Sequence, residues 1–346
     1  MENEKRMEDL KMSNNKDGAA AALQPKKIAV INDIAGYGRC ALTAAIPVIS
    51  ALKVQCCPLI TAVLSNHAGY PSCFFDDYTD RMVPYIEEWK RLEFSFDGIM
   101  TGFLGSVRQV EIVTDFIRHF KKEHTTMLLV DPTLGDNGTT YSVCDRQLCE
   151  GMRELIQYAD IITPNLTEAC ILTDTPYQEK GWSKRKLSDL TYKLLLMGAG
   201  AVVLTGVVKG SLVINVIHER GKEPVFQTAH HAEGNHHGTG DVFAAVIGAS
   251  AVKGVALEES VRRAAAFTRK CVERSEELGV PEIEGLCLEE CLALSDETLI
   301  RQVRTLPGRP ADGVVRCVYE SFVPGGRLSW VGAAGKIKSA EHALAP

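Results

Sequence analysis

The run Asn235-His236-His237-Gly238-Thr239-Gly240-Asp241-Val242-Phe243-Ala244-Ala245 sets a threonine between two glycines, follows them with an aspartate, and passes at once into an apolar helical pattern. That order suits phosphoryl transfer. Gly238 and Gly240 permit a tight turn whose N–H groups point one way, and a helix beginning there adds positive partial charge. Together they would cradle a phosphate whose negative charge grows during transfer. Asp241 would stand in the first turn, within reach of a hydroxyl presented to that phosphate. The same residues also describe an ordinary glycine-rich turn with aspartate as helix cap, and the run alone does not separate the two.

The elements that must position this turn follow from the hydrophobic periodicity. Short, almost wholly apolar strands are expected at 27–33, 54–63, 98–101, 127–131, 160–163 and 201–205. Helical patterns lie at 79–91, 107–123, 147–158, 165–173, 184–197, 240–252 and 258–276, and an amphipathic stretch carries Leu42, Ile46, Ile49 and Leu52. Apolar strands alternating with helices imply an α/β fold with a mostly parallel sheet covered on both faces. Residues 211–218 and 224–228 read as a late antiparallel ribbon. Residues 1–25 read as a disordered leader, 26–296 as one folded domain, and 297–346, rich in Gly, Arg and Pro, as a tail of uncertain order.

In an open parallel sheet, ligands bind beyond the carboxyl ends of the strands. The polar residues there are Asp33, then Ser65-Asn66-His67, then Thr101 to Ser106 with Phe103 among them. Further ends carry Asp131-Pro132-Thr133-Leu134-Gly135-Asp136, Thr163-Pro164-Asn165-Leu166-Thr167-Glu168, and Thr205-Gly206. Any one could be a turn or a cap; six together beside the glycine turn describe a cleft. Asn165 and Glu168 share a helix face and read equally as a capping box or as groups aimed at magnesium, directly or through water.

Composition bounds the rest. The chain has 346 residues, 45% hydrophobic and 24% charged, with a net charge of −6. These are values of a globular protein, without the basic footprint of nucleic-acid binding. Eleven scattered cysteines include no C-x-x-C pair, which points to a reducing compartment. No secretory signal or membrane-length apolar run is visible, so the cytoplasm is the expected location and no membrane partner is implied.

Two other chemistries are weighed. Gly36-Tyr37-Gly38-Arg39-Cys40-Ala41 matches G-x-G-x-x-A, the mark of an NAD-dependent oxidoreductase, but no carboxylate ends the second strand where the ribose would need it. His230, His231, His236 and His237 look like zinc ligands, yet no cysteine or spaced carboxylate completes a set. No G-x-x-x-x-G-K-[ST] loop occurs.

Gly238-Thr239-Gly240-Asp241, with Asp131-Pro132 and Thr163-Pro164-Asn165-x-x-Glu168 upstream, resembles the ribokinase superfamily. Leu64-Ser65-Asn66-His67, Thr101-Gly102-Phe103-Leu104-Gly105-Ser106 and Asp131-Pro132-x-x-Gly135-Asp136 resemble its pyridoxal kinase branch, over about residues 27 to 294. The opening Asn32-Asp33-x-x-Gly36-x-Gly38-Arg39 is similar to clostridial-type pyridoxamine or pyridoxal kinases. The resemblance implies a three-layer α/β/α ribokinase-like fold and a homodimer. It implies ATP, Mg2+ with a monovalent cation as a further option, and phosphorylation of the 5′-hydroxymethyl of a B6 vitamer (pyridoxal, pyridoxamine or pyridoxine). Carried over by position, Asp241 is the base and Gly238, Thr239 and Gly240 the anion hole. Asp131, Asp136, Asn165 and Glu168 lie by magnesium and the phosphates, with Asp131, Asp136 and Glu168 as the metal side. Thr163 and Thr205 contact the nucleotide phosphates. Asp33, Ser65, His67 and Phe103 face the acceptor. The family's enzymes from animals and enterobacteria usually have serine where Asp33 stands and tyrosine where Phe103 stands, and many have threonine where Ala68 stands. The related hydroxymethylpyrimidine kinases, which often carry cysteine at the position of Asp241, are the alternative reading.

Overall fold

A computed structural model describes residues 24–292, together with the backbone of 330–331 and 337–338. Residues 1–23 of the expected leader and nearly all of the expected tail lie outside the described residues. The chain divides into two compact units, 1–292 and 293–346. In the second, Trp330–Val331 and Ile337–Lys338 pair as an antiparallel ribbon.

The first unit is built on nine strands: β1 (Lys26–Tyr37), β2 (Val54–Asn66), β3 (Phe75–Asp77), β4 (Gly98–Thr101), β5 (Met127–Val130), β8 (Ile161–Ile162), β9 (Ala201–Lys209), β10 (Leu212–Glu219) and β11 (Val225–His230). A small hairpin, β6 (Gly135–Asp136) with β7 (Thr139–Thr140), stands apart. The sheet order is β11-β10-β9-β8-β5-β4-β1-β2-β3. The six strands from β9 to β2 run parallel, and β3, β10 and β11 add antiparallel edges. The late ribbon and the parallel centre thus match the sequence pattern. The short β3 and the β6–β7 hairpin do not appear in it, because pieces of two or three residues carry no periodicity.

Alternation along each strand divides the core in two, since successive side chains point to opposite faces. Ala29, Ile31, Ile99, Leu128, Val130, Val202 and Leu204 face one layer. There they meet α2 (Thr79–Arg91), α3 (Val107–Phe120), α4 (Arg146–Leu155), α5 (Leu166–Leu172) and α6 (Lys184–Leu196). Ile28, Val30, Met100, Leu129, Ala201 and Val203 face the other layer. It is made of α1 (Ala41–Ala51), α7 (Thr239–Ala251), α8 (Leu257–Glu277) and α9 (Leu288–Leu292). This is the expected three-layer α/β/α arrangement. Among the described residues no helix is long and apolar enough to cross a membrane.

α7 is buried all round from Val242 to Ser250, as a helix wrapped by sheet and neighbours must be. Gly248 lets it approach the strands: a side chain there would begin 3.3 Å from Ile28 Cδ1 and 3.4 Å from Met100 Sδ. The helix that carries Asp241 is therefore seated by close packing. Gly248→Val should lower the free energy of unfolding by about 1–3 kcal/mol, the usual cost of overpacking, measured by urea denaturation. An unchanged midpoint would contradict this seating.

Candidate active site

The carboxyl ends of β1, β2, β4, β5, β8 and β9 meet the amino terminus of α7 at one edge of the sheet. Gly238 supplies the turn, with φ +80°. A side chain there would collide with the Arg39 carbonyl, so the position demands glycine twice over. The first backbone bond of α7 is Val242 N–H to Gly238 O at 3.0 Å. The amides of Thr239, Gly240 and Asp241 are left outside the helical ladder. Gly240 has open space where a side chain would stand. This is the geometry of an anion site at a helix start.

Asp241 sits at the centre. Asn32 Nδ2 donates to its Oδ1 at 3.3 Å, and the backbone amide of Ala41 bonds it as well. Ala41 holds a left-handed φ of +47°, a strained conformation for a residue with a side chain, worth about 1–3 kcal/mol. Burial pushes the Asp241 carboxyl above its ordinary range, against the pull of the Ala41 amide, Asn32 and His67. Asn32 stands in the opening motif, but the motif assigns it no role. It is 1% exposed, and its Oδ1 accepts from Asp33 N–H at 3.0 Å and Phe103 N–H at 2.7 Å. One side chain thus ties the ends of β1 and β4 to Asp241. Its place at a strand end was the signal available.

On one side of Asp241 lie the remaining carboxylates. Asp131 accepts from Thr163 Oγ1 at 2.9 Å; burial and the charge of Asp241 raise it to about 7. Asn165 and Glu168 do form a capping box, through Glu168 N–H to Asn165 Oδ1 at 2.9 Å and Asn165 N–H to Glu168 Oε2 at 2.8 Å. Glu168 Oε1 takes a second amide, Leu134 N–H at 3.1 Å. Burial, then the charge of Asp131, still holds Glu168 well above its usual range. Asn165 Nδ2 donates to Gly135 O at 2.8 Å, which fastens the β6–β7 hairpin to α5. Asp136, on that hairpin, is exposed and turns to Asn137. Thr205 bridges to Asn165 in the sheet, and its hydroxyl reaches Pro164 O at 3.4 Å. Buried Asn215, which the motifs do not include, holds the Gly206 amide at 3.1 Å.

Asp131, Asp136 and Glu168 do not converge as three ligands on one point; no such cluster occurs among the described residues. The donors present nonetheless fit magnesium, which favours oxygen, needs only one or two carboxylates and keeps much of its water. Neighbouring carboxylates that raise one another's pKa are relieved by a cation.

On the other side of Asp241 lies Asp33, 8% exposed. Phe103 closes a small apolar group of Ala35, Cys40, Ala41, Ala62 and Leu64. His67 is spoken for: Nδ1 accepts from Gly69 N–H at 3.1 Å, and Nε2 meets Ile283 O at 2.6 Å. Its ring leans on His237 and Tyr70, with centroids 4.4 and 4.8 Å away, so it can offer a ligand a ring face but no free nitrogen. Ser65 is exposed and accepts from Phe74 N–H at 2.9 Å. The rival chemistries fare poorly. β1 runs on to Tyr37, so Gly36 is a strand residue packed against Ser65 O, which leaves no dinucleotide turn there. His236 pairs with Glu276 at 2.7 Å and His237 turns to His67, so the histidines do not gather around a metal.

The Asp33 carboxyl, ordinarily near 3.8, is raised to about 7 by burial and then by Asp241. A proton kept by the folded chain and lost by the unfolded one stabilises the fold fully below 3.8, and that stability is gone above 7. Asp33→Asn carries no charge. Its thermal midpoint, without ligand, should therefore exceed that of the unaltered protein by a margin that grows from pH 4 to pH 7. A margin independent of pH would contradict the burial of a lone charge there.

Comparison with known proteins agrees with this geometry. The family model described as phosphomethylpyrimidine kinase matches residues 38–284. A candidate phosphomethylpyrimidine kinase from Bacteroides thetaiotaomicron, crystallised with pyridoxal, is 39% identical, with a TM-score of 0.74 over 78% of this chain and 94% of that one. Pyridoxal kinase from Lactobacillus plantarum is 28% identical, with a TM-score of 0.72 over 81% of this chain and 99% of that one. A candidate pyridoxal kinase from Schizosaccharomyces pombe is 25% identical, covering 69% of this chain and 84% of that protein. With the fold, the glycine turn and the ring of strand ends in place, the chain belongs to the phosphomethylpyrimidine kinase family and is a ribokinase-like kinase of its pyridoxal/phosphomethylpyrimidine branch.

Proposed function

We propose that this kinase transfers the γ-phosphate of ATP to the 5′-hydroxymethyl of a B6 vitamer, in the salvage of pyridoxal 5′-phosphate. The observation that carries it is Asp241, held by Asn32 and the Ala41 amide at the open amino terminus of α7. A carboxylate so placed can accept a hydroxyl proton while adjacent amides face the phosphate. Pyridoxal bound to the Bacteroides relative supports the choice of acceptor.

In this reading the acceptor lies on the Asp33 and Phe103 side and presents its hydroxymethyl to Asp241. The hydroxyl oxygen bonds to the γ-phosphorus as the bond to the β-phosphate oxygen breaks and ADP departs. Asp241 takes the hydroxyl proton, and its raised pKa brings it nearer to a working base at neutral pH. The amides of Thr239, Gly240 and Asp241 face the charge that spreads over the transferring group. Positioning and charge stabilisation supply most of the acceleration in such reactions. Asp131 and Glu168, with Asp136 nearby, would hold magnesium, and Thr163 and Thr205 would meet the nucleotide phosphates. When bound, the metal supplies positive charge to the phosphate oxygens.

Two outcomes are expected. Asp241→Ala loses about 10²–10⁴-fold in turnover while ATP still shifts its thermal midpoint; near-normal turnover would sink the assignment. Chelation of divalent metal abolishes turnover, and Glu168→Gln, which keeps the side-chain shape and an acceptor for one of the two amides but removes the charge, raises the magnesium needed for half-maximal rate about tenfold. The decisive assay couples ADP release to pyridoxal, pyridoxamine, pyridoxine and 4-amino-5-hydroxymethyl-2-methylpyrimidine. Turnover of the pyrimidine alone would move the assignment to the hydroxymethylpyrimidine kinases.

A further inference from the structure

Asp33 is a second carboxylate beside Asp241, and among the described residues no side chain partners it. β1 loses register with β2 between Asn32 and Ile34. There the Asp33 amide turns to Asn32 Oδ1. Irregularities of this kind re-aim the side chains beside them. Among the described residues no cation pairs with Asp33, and no side chain donates to its carboxylate. Arg39 is committed to Glu289 and the Glu284 carbonyl, and both ring nitrogens of His67 face backbone. Asp33 shares its end of the cleft with the apolar group around Phe103. A carboxylate buried in such a place is costly unless something pairs with it. What the protein does not supply, a ligand can.

The position of Asp33 narrows which part of a ligand that is. Asn32 touches both acids, bonding Asp241 through Nδ2 and the Asp33 amide through Oδ1. Cys40 lies in the field of both. A ring whose hydroxymethyl meets Asp241 can place a neighbouring substituent at Asp33. An aldehyde there offers only lone pairs to a carboxylate, whereas an amine offers N–H donors and, in an aminomethyl group, a positive charge.

We propose that Asp33 selects acceptors bearing an amine on the ring atom next to the reacting hydroxymethyl, an aminomethyl or amino group, over the same ring bearing an aldehyde. The proposal rests on the reading of this site as a kinase of aromatic hydroxymethyl compounds.

The test measures kcat/KM for pyridoxamine and pyridoxal with the full chain, Asp33→Asn and Asp33→Ser. A charge-assisted hydrogen bond is worth about a 10- to 100-fold preference. The unaltered enzyme should favour pyridoxamine by roughly that factor. Both variants should lose the preference, kcat/KM for pyridoxamine falling at least about tenfold further than kcat/KM for pyridoxal. An equal fall for the two vitamers, or an unaltered enzyme that favours pyridoxal, overturns the proposal. Calorimetric titration of both vitamers against the same three proteins forms an independent arm. If neither vitamer is phosphorylated, the kinase reading fails, yet tighter pyridoxamine binding that Asp33→Asn abolishes still supports the role of Asp33. Equal binding, or none, overturns it. Thermal midpoints confirm that each variant is folded.

Discussion

Like charges held close together are the constraint on which this molecule turns. Asp33 feels Asp241, Asp131 feels Asp241, and Glu168 feels Asp131. The four form a chain of mutual repulsion along one edge of the sheet, with Asp241 in the middle. Such an arrangement costs stability in the empty protein. It persists because backbone amides and neutral side chains fix three of the four: Asn32 and the Ala41 amide at Asp241, the Thr163 hydroxyl at Asp131, the Asn165 and Leu134 amides at Glu168. A site in this condition is ready for cations and for N–H donors, and phosphoryl transfer with a metal and an amine-bearing acceptor would bring both.

The same edge contains the opposite sign. The open amides at the start of α7 carry positive partial charge, which suits an anion there. α7 sits there because it is apolar on every side and Gly248 lets it lie close on β1 and β4. The strained Ala41 at the start of α1 turns its amide toward Asp241 from the other direction. Packing in the layer of α1, α7 and α8 thus decides where the charges fall, and the chemistry follows from how closely the helices can approach.

Much of this was legible in the chain. Gly98–Thr101 and Thr79–Arg91 have the bounds the periodicity predicts, because a short apolar run and a strongly amphipathic helix each satisfy one period and no other. β1 and β2 run beyond their expected ends to Tyr37 and Asn66, since pairing with each other sustains them past the apolar core. The β6–β7 hairpin was invisible, and with it the reason Asn165 is where it is: its amide staples that hairpin. His67 could be named from its motif, but nothing in the motif says that both its nitrogens are spent on backbone.

The sequence alone determined the α/β class, the parallel order of short apolar strands, the glycine turn before Asp241 and the set of polar residues at strand ends. These are local properties, carried by residue type and spacing along a few turns or strands. Only the tertiary structure decided that Asn32, 209 residues from Asp241, bonds to it, and that Asp33 is buried with no cation paired to it among the described residues. Both depend on which strand lies beside which helix and how near. Such distances are set by packing across the sheet, which no stretch of sequence contains by itself.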